Sequence, residues 1–142
     1  MFLPKDDGIT HVNVYSQGQT KLGRALSNFT RAPFEVPEHG KFESIEGYWY
    51  WLGCKDDRLR FAVGYAAKKL GRELKASDWN NEPDFKAYII TALKAKLDAH
   101  PWIKDALKLN SLPLAHYYVF NGFMKDESRR AEWILAVFKE YA

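Results

Sequence analysis

Glu46 heads an aromatic run, Gly40-Lys-Phe-Glu-Ser-Ile-Glu-Gly-Tyr-Trp-Tyr-Trp51, and a carboxylate in that setting can act as an acid, a base or a ligand clamp. Aromatic faces such as Trp49 could hold a planar base while the carboxylate works on a sugar or a proton. The same pattern has a structural reading. Ser44 would cap a helix, Glu46 would complement the positive end of its dipole, and Tyr48, Trp49 and Trp51 would be packing. Helix caps far outnumber active-site acids, so pattern alone favours the structural reading.

Other residues carry weaker signals. Lys68 and Arg72 lie one helical turn apart in Ala67-Lys-Lys-Leu-Gly-Arg72 and could grip a diphosphate from one face, or the stretch is a solvated surface on which Lys69 pairs with Glu73. Lys96 falls in register with Phe85, Ile89 and Ala92 on an apolar stripe, where it either snorkels to water or points a charge into a cleft. Ser27 and Asn28 set a hydroxyl and an amide beside Phe29, a grouping that suits a sugar or base edge and equally suits a tight turn. Trp79 is a stacking platform or a core residue. His11, His39, His100 and His116 have no paired metal spacing, so neither metal nor cofactor is expected. Gly18-Gln-Thr-Lys-Leu-Gly23 is not a phosphate loop, because Arg24-Ala25 stands where Lys-Ser/Thr is required. Cys54 beside Lys55 has no positioned histidine and is a weak nucleophile candidate.

These residues need a scaffold, and 142 residues with 46% hydrophobic content suffice for one well-packed domain, 1–142, and not for two ordinary ones. The net charge of +3, from 21 basic and 18 acidic residues, is mixed along the chain and argues against ordinary nucleic-acid binding. The lone Cys54 excludes an internal disulfide and fits a cytoplasmic setting. Nothing approaches the ~20 apolar residues of a membrane span, and a soluble, unprocessed protein is expected.

Alternation from His11 to Ser16 predicts a first strand, and Pro33–Val36 with Lys41–Ser44 around Pro37–Gly40 predicts a hairpin. Helical spacing follows over Ile45–Leu52 and from Arg58 to about Leu74. Phe85 to Leu97 marks an amphipathic helix ending near His100, and Pro101 opens a shorter one through Leu107. Pro113–Phe120 reads as extended, Asn121-Gly122 as a turn, and Ala131 to Tyr141 as a closing helix. The class predicted is α+β, mainly helical, with a small N-terminal antiparallel sheet.

Taken in order, Leu26-Ser-Asn-Phe29 with Pro33-Phe34, Gly40 and Phe42 leading to Ser44-Ile-Glu46, Ala67-Lys68 with Leu70-Gly71-Arg72, Trp79, and Ala92 to His100 resemble the NADAR family of YbiA-like proteins. The likeness runs from about Val12 to Leu109, and the combination is far more specific than any single motif. The resemblance implies cleavage of an N-glycosidic bond, in ADP-ribose attached to nucleobases, including a nucleobase in DNA, or in riboflavin-pathway ribosyl phosphates. It implies Glu46 as the catalytic carboxylate, Asn28 and Phe29 holding sugar or base, Lys68 and Arg72 holding phosphate, Lys96 on the pocket side of the long helix, and Trp79 stacking or supporting.

Two departures from the family pattern stand out. Gly47 replaces a usual histidine, and Leu114–Gly122 lacks the usual carboxylate, so that His116 or Asn121 would have to substitute. Two functions therefore compete: an N-glycosidase, and a non-catalytic protein that sequesters an ADP-ribose-derived nucleotide. A blander alternative is an interaction domain whose aromatics only fill a core.

Overall fold

Apolar spacing near two residues produces the short strands of the first third of the chain, and spacing near four residues produces the longer helices after Ser44. The computed structural model describes residues 2–74 and 83–142. In chain order the elements are a 3-10 turn (Pro4–Asp6), β1 (Val12–Asn13), α1 (Lys21–Leu26), β2 (Phe34–Val36), β3 (Gly40–Phe42), α2 (Ile45–Cys54), a second 3-10 turn (Asp57–Phe61), α3 (Gly64–Glu73), α4 (Phe85–Ala99), α5 (Pro101–Leu109), β4 (Leu114–Ala115), β5 (Tyr117–Phe120), β6 (Phe123–Asp126) and α6 (Glu132–Lys139). The class is α+β, as expected. By contacts the chain separates into two compact units, Asn28–His100 and the pair Met1–Ser27 with Pro101–Ala142.

In the unit Asn28–His100, β2 and β3 form the predicted antiparallel hairpin, with Phe34 opposite Phe42. Both rings face inward against Tyr48 of α2, and Phe42 stands 4.6 Å from the Tyr48 ring and 5.3 Å from that of Trp51. Tyr48 is fully buried, and its hydroxyl meets Nδ1 of His39 at 2.7 Å, so its polar end is satisfied inside the core. Arg60 ties the hairpin to the second 3-10 turn: its guanidinium lies over Phe42 and Trp51 and donates to the carbonyls of His39 and Lys41. The structural reading of Tyr48 and Trp51 is therefore correct. Helix α4 packs on both β2 and α2.

The continuous helix expected from Arg58 to Leu74 is broken. A 3-10 turn ends at Phe61, Ala62 and Val63 are extended, and α3 starts at Gly64, whose φ of +57° suits a residue without Cβ. The Gly64 N–H donates to the Phe29 carbonyl at 2.8 Å, a tertiary bond that local periodicity cannot reveal.

In the unit formed by both chain ends, β1 is shorter than expected and pairs in parallel with β4, Val12 beside Leu114. Asn13 locks that pairing, because its side-chain amide donates to the Tyr117 carbonyl at 3.0 Å while its oxygen accepts from the Tyr117 N–H at 2.9 Å. Asp7 accepts from the N–H groups of Asn13 and Gln19, and buried His11 meets the Tyr117 hydroxyl. Two elements exceed the sequence expectation. Thr20 caps the short helix α1 by accepting from the Gly23 N–H, and Asn121-Gly122, with φ values of 49° and 78°, turns β5 into a second strand, β6. Among the described residues no helix is long and apolar enough to cross a membrane.

Candidate functional site

Helix α2 begins where the sequence places it. Ser44 is extended, its Oγ accepts from the Gly47 N–H at 3.1 Å and donates to the Ala62 carbonyl at 2.8 Å. That double bond fixes the first turn, on which Glu46 sits. The Glu46 N–H donates to the Asn28 carbonyl at 3.0 Å, and the next carbonyl, of Phe29, receives the first N–H of α3. Two consecutive residues of one segment thus anchor the starts of two helices.

The Glu46 carboxyl accepts no hydrogen bond and joins no ion pair among the described residues. Loss of hydration raises its pKa to about 7, opposed by the positive charge of Lys68. Near neutral pH it therefore exists in both protonation states, which is the condition for moving a proton.

Lys68 and Arg72 lie four residues apart on α3, and neither joins an ion pair or hydrogen bond among the described residues. Between them, Gly71 abuts the ring of Tyr50: a Cβ built on Gly71 would fall 2.4 Å from the Tyr50 Cγ. The ring of Tyr50 is thus laid against α3. Burial raises the pKa of its hydroxyl, the Glu46 charge raises it further, and Arg72 lowers it. The sequence pointed to Asn28, Glu46, Lys68 and Arg72: the Glu46 backbone is bonded to Asn28, Lys68 in the middle of α3 lies within electrostatic reach of the Glu46 carboxyl, and Arg72 in the last turn of α3 lies within reach of Tyr50. Tyr50 was missed, although its place four residues after Glu46 on one helix was a usable signal.

The remaining candidates are placed as follows. Phe29 is half-buried, and Trp49 packs edge-on against Phe85 at the start of α4, with ring centroids 4.7 Å apart. Lys96 does not snorkel to water: it is completely buried, and desolvation lowers its pKa to about 7. Trp79 lies outside the described residues. Ser27, at the C-terminal cap of α1, and His116 belong to the unit of the two chain ends. There the His116 Nδ1 lies 2.6 Å from the Val14 carbonyl and its ring meets Tyr118 edge-on.

Gly47 has a steric cause. A Cβ there would fall 2.3 Å from the Leu59 carbonyl oxygen, so the second 3-10 turn packs directly on the helix backbone. Among the described residues no three of His, Cys, Asp and Glu are grouped so that they could hold a metal. Two cavities, of about 230 Å³ around Asp7 and Asn13 and about 610 Å³ around Phe34 and Phe61, include none of Glu46, Lys68 and Arg72 in their linings.

No protein-family model matches the chain, and no curated protein matches it in sequence. In fold it is similar to the Escherichia coli protein YbiA, solved by NMR, with a TM-score of 0.65 over 99% of this chain and 90% of that one at 18% identity. The fold is YbiA-like.

Proposed function

We propose that this chain is an N-glycosidase acting on an ADP-ribose-like or ribosyl-phosphate compound, with Glu46 as the catalytic carboxylate. The observation that carries the reading is a largely desolvated carboxyl without a hydrogen bond or ion pair among the described residues, within electrostatic reach of Lys68, which likewise lacks one. Cleavage would break the bond between ribose C1′ and the base nitrogen, leaving both electrons on the base and a cation shared by C1′ and the ring oxygen. Ionised Glu46 would stabilise that cation and take the proton from the attacking water, while the departing base takes up a proton. Lys68 and Arg72 would hold phosphate, and Asn28, Phe29 and Trp49 the sugar or base. The YbiA-like fold and the motif order support the same substrate class, whether an ADP-ribosylated nucleobase, free or in DNA, or a riboflavin-pathway intermediate. The lone cysteine is consistent with work in the cytoplasm.

The second reading is a protein that binds such a nucleotide without turnover. Gly47 favours it, since the steric block leaves no room beside Glu46 for a further polar group at that position. Mass spectrometry after incubation with ADP-ribosyl nucleobases and ribosyl phosphates separates the two. Free base released by the wild type and not by Glu46→Gln is the expected result, whereas retained binding with no released base favours the sequestering protein.

A further inference from the structure

Resting on the assignment of Lys68 and Arg72 to phosphate, we infer that Tyr50 is a third phosphate-contacting residue, whose hydroxyl donates to an oxygen of the phosphate that Lys68 and Arg72 hold. The geometry is set by three features. Tyr50 follows Glu46 by four residues, so both side chains leave the same face of α2. Gly71 lets that ring lie directly on the α3 backbone, where any Cβ would strike Cγ and both Cδ atoms. Lys68 and Arg72 stand one helical turn apart on α3, and Arg72, next to Gly71 in the chain, lies within electrostatic reach of the Tyr50 hydroxyl.

A tyrosine used only as core would bury its hydroxyl against a protein partner, as Tyr48 does with His39. The Tyr50 hydroxyl has no such partner among the described residues, and the residue is only half-buried. It lies within electrostatic reach of both Glu46 and Arg72. The upward shift of its pKa keeps the hydroxyl protonated, and therefore a donor, throughout the neutral range. The ligand class that fits is a ribose carrying a phosphomonoester or diphosphate. A neutral nucleoside would leave Tyr50, Lys68 and Arg72 unused.

The test is calorimetric titration of ADP-ribose and of ribose 5-phosphate into the wild type, Tyr50→Phe, Arg72→Ala and the double variant, with circular dichroism to verify folding. Phenylalanine keeps the ring on Gly71 and removes only the hydroxyl. Tyr50→Phe should weaken binding about tenfold, the usual scale for a hydrogen bond to a charged group. In the Arg72→Ala background the same change should cost markedly less, because the phosphate is no longer held in register. Gly71→Ala, which forces the ring aside and leaves the hydroxyl present, should also weaken both ligands. If Tyr50→Phe binds as the wild type does while Arg72→Ala is weakened, the role of Tyr50 is overturned and the phosphate site stands. Equal losses in both backgrounds would likewise overturn it. Wild type that binds neither ligand would overturn the phosphate assignment and this inference together.

Discussion

The main-chain N–H of Glu46 donates to the carbonyl of Asn28 at 3.0 Å. Asn28 is thereby tied to the residue that carries the candidate carboxylate through backbone, independently of either side chain. The Asn28 side chain has no hydrogen bond among the described residues and stays available beside the start of α2.

Ser44→Ala should test how far that start depends on its cap. The Ser44 Oγ serves both Gly47 and Ala62, so its loss removes a helix cap and a link to the next turn. Unfolding in urea should show a loss of about 1–2 kcal/mol, the upper part of the usual range for a capping serine.

Glu46→Gln should stabilise the protein at neutral pH. The folded-state pKa of about 7 lies above the ordinary 4.5, so the folded state binds more protons between those values. Stability from this group is complete below pH 4.5, declines as pH rises and is lost above 7. Glutamine, which cannot ionise, should therefore gain roughly 1–3 kcal/mol at pH 8 and little at pH 4. Parallel urea titrations at the two pH values would measure the difference.

Lys96 has the opposite sign. Its folded-state pKa of about 7 is below the ordinary 10.5, so the folded state binds fewer protons and stability rises with pH from about 7 to 10.5. Lys96→Met should raise the melting temperature more at pH 6 than at pH 10. An equal effect at both would mean that the buried amine keeps its ordinary affinity for a proton.

Gly47→Ala should destabilise by about 1–3 kcal/mol, the usual cost of overpacking. The added methyl would meet the Leu59 carbonyl at 2.3 Å, and neither backbone can yield without moving α2 or the 3-10 turn. Thermal unfolding would read this directly.

Much of this was legible in the sequence wherever local chemistry decides. Ser44 before an apolar run announces α2, and the apolar spacing from Phe85 to Leu97 announces α4. The break before Gly64 was not legible, since it depends on the Phe29 carbonyl thirty-five residues away. Helix α1 has only six residues, too short for a periodic signal, and β6 required taking Asn121-Gly122 as a hairpin turn. At the site, the positions of Glu46, Lys68 and Arg72 came from motif spacing. Tyr50 resembled its core neighbours Tyr48 and Trp51 in composition, and the contact with Gly71 and a hydroxyl without a partner among the described residues set it apart.

The most direct measurement is the rate of free-base release from an ADP-ribosylated nucleobase between pH 5 and 9, for the wild type and Glu46→Gln. The account predicts a wild-type rate that rises through about pH 7, as the Glu46 carboxyl ionises, and then levels, with no release above background from the variant. Undiminished release by Glu46→Gln, with the same dependence on pH, would contradict it.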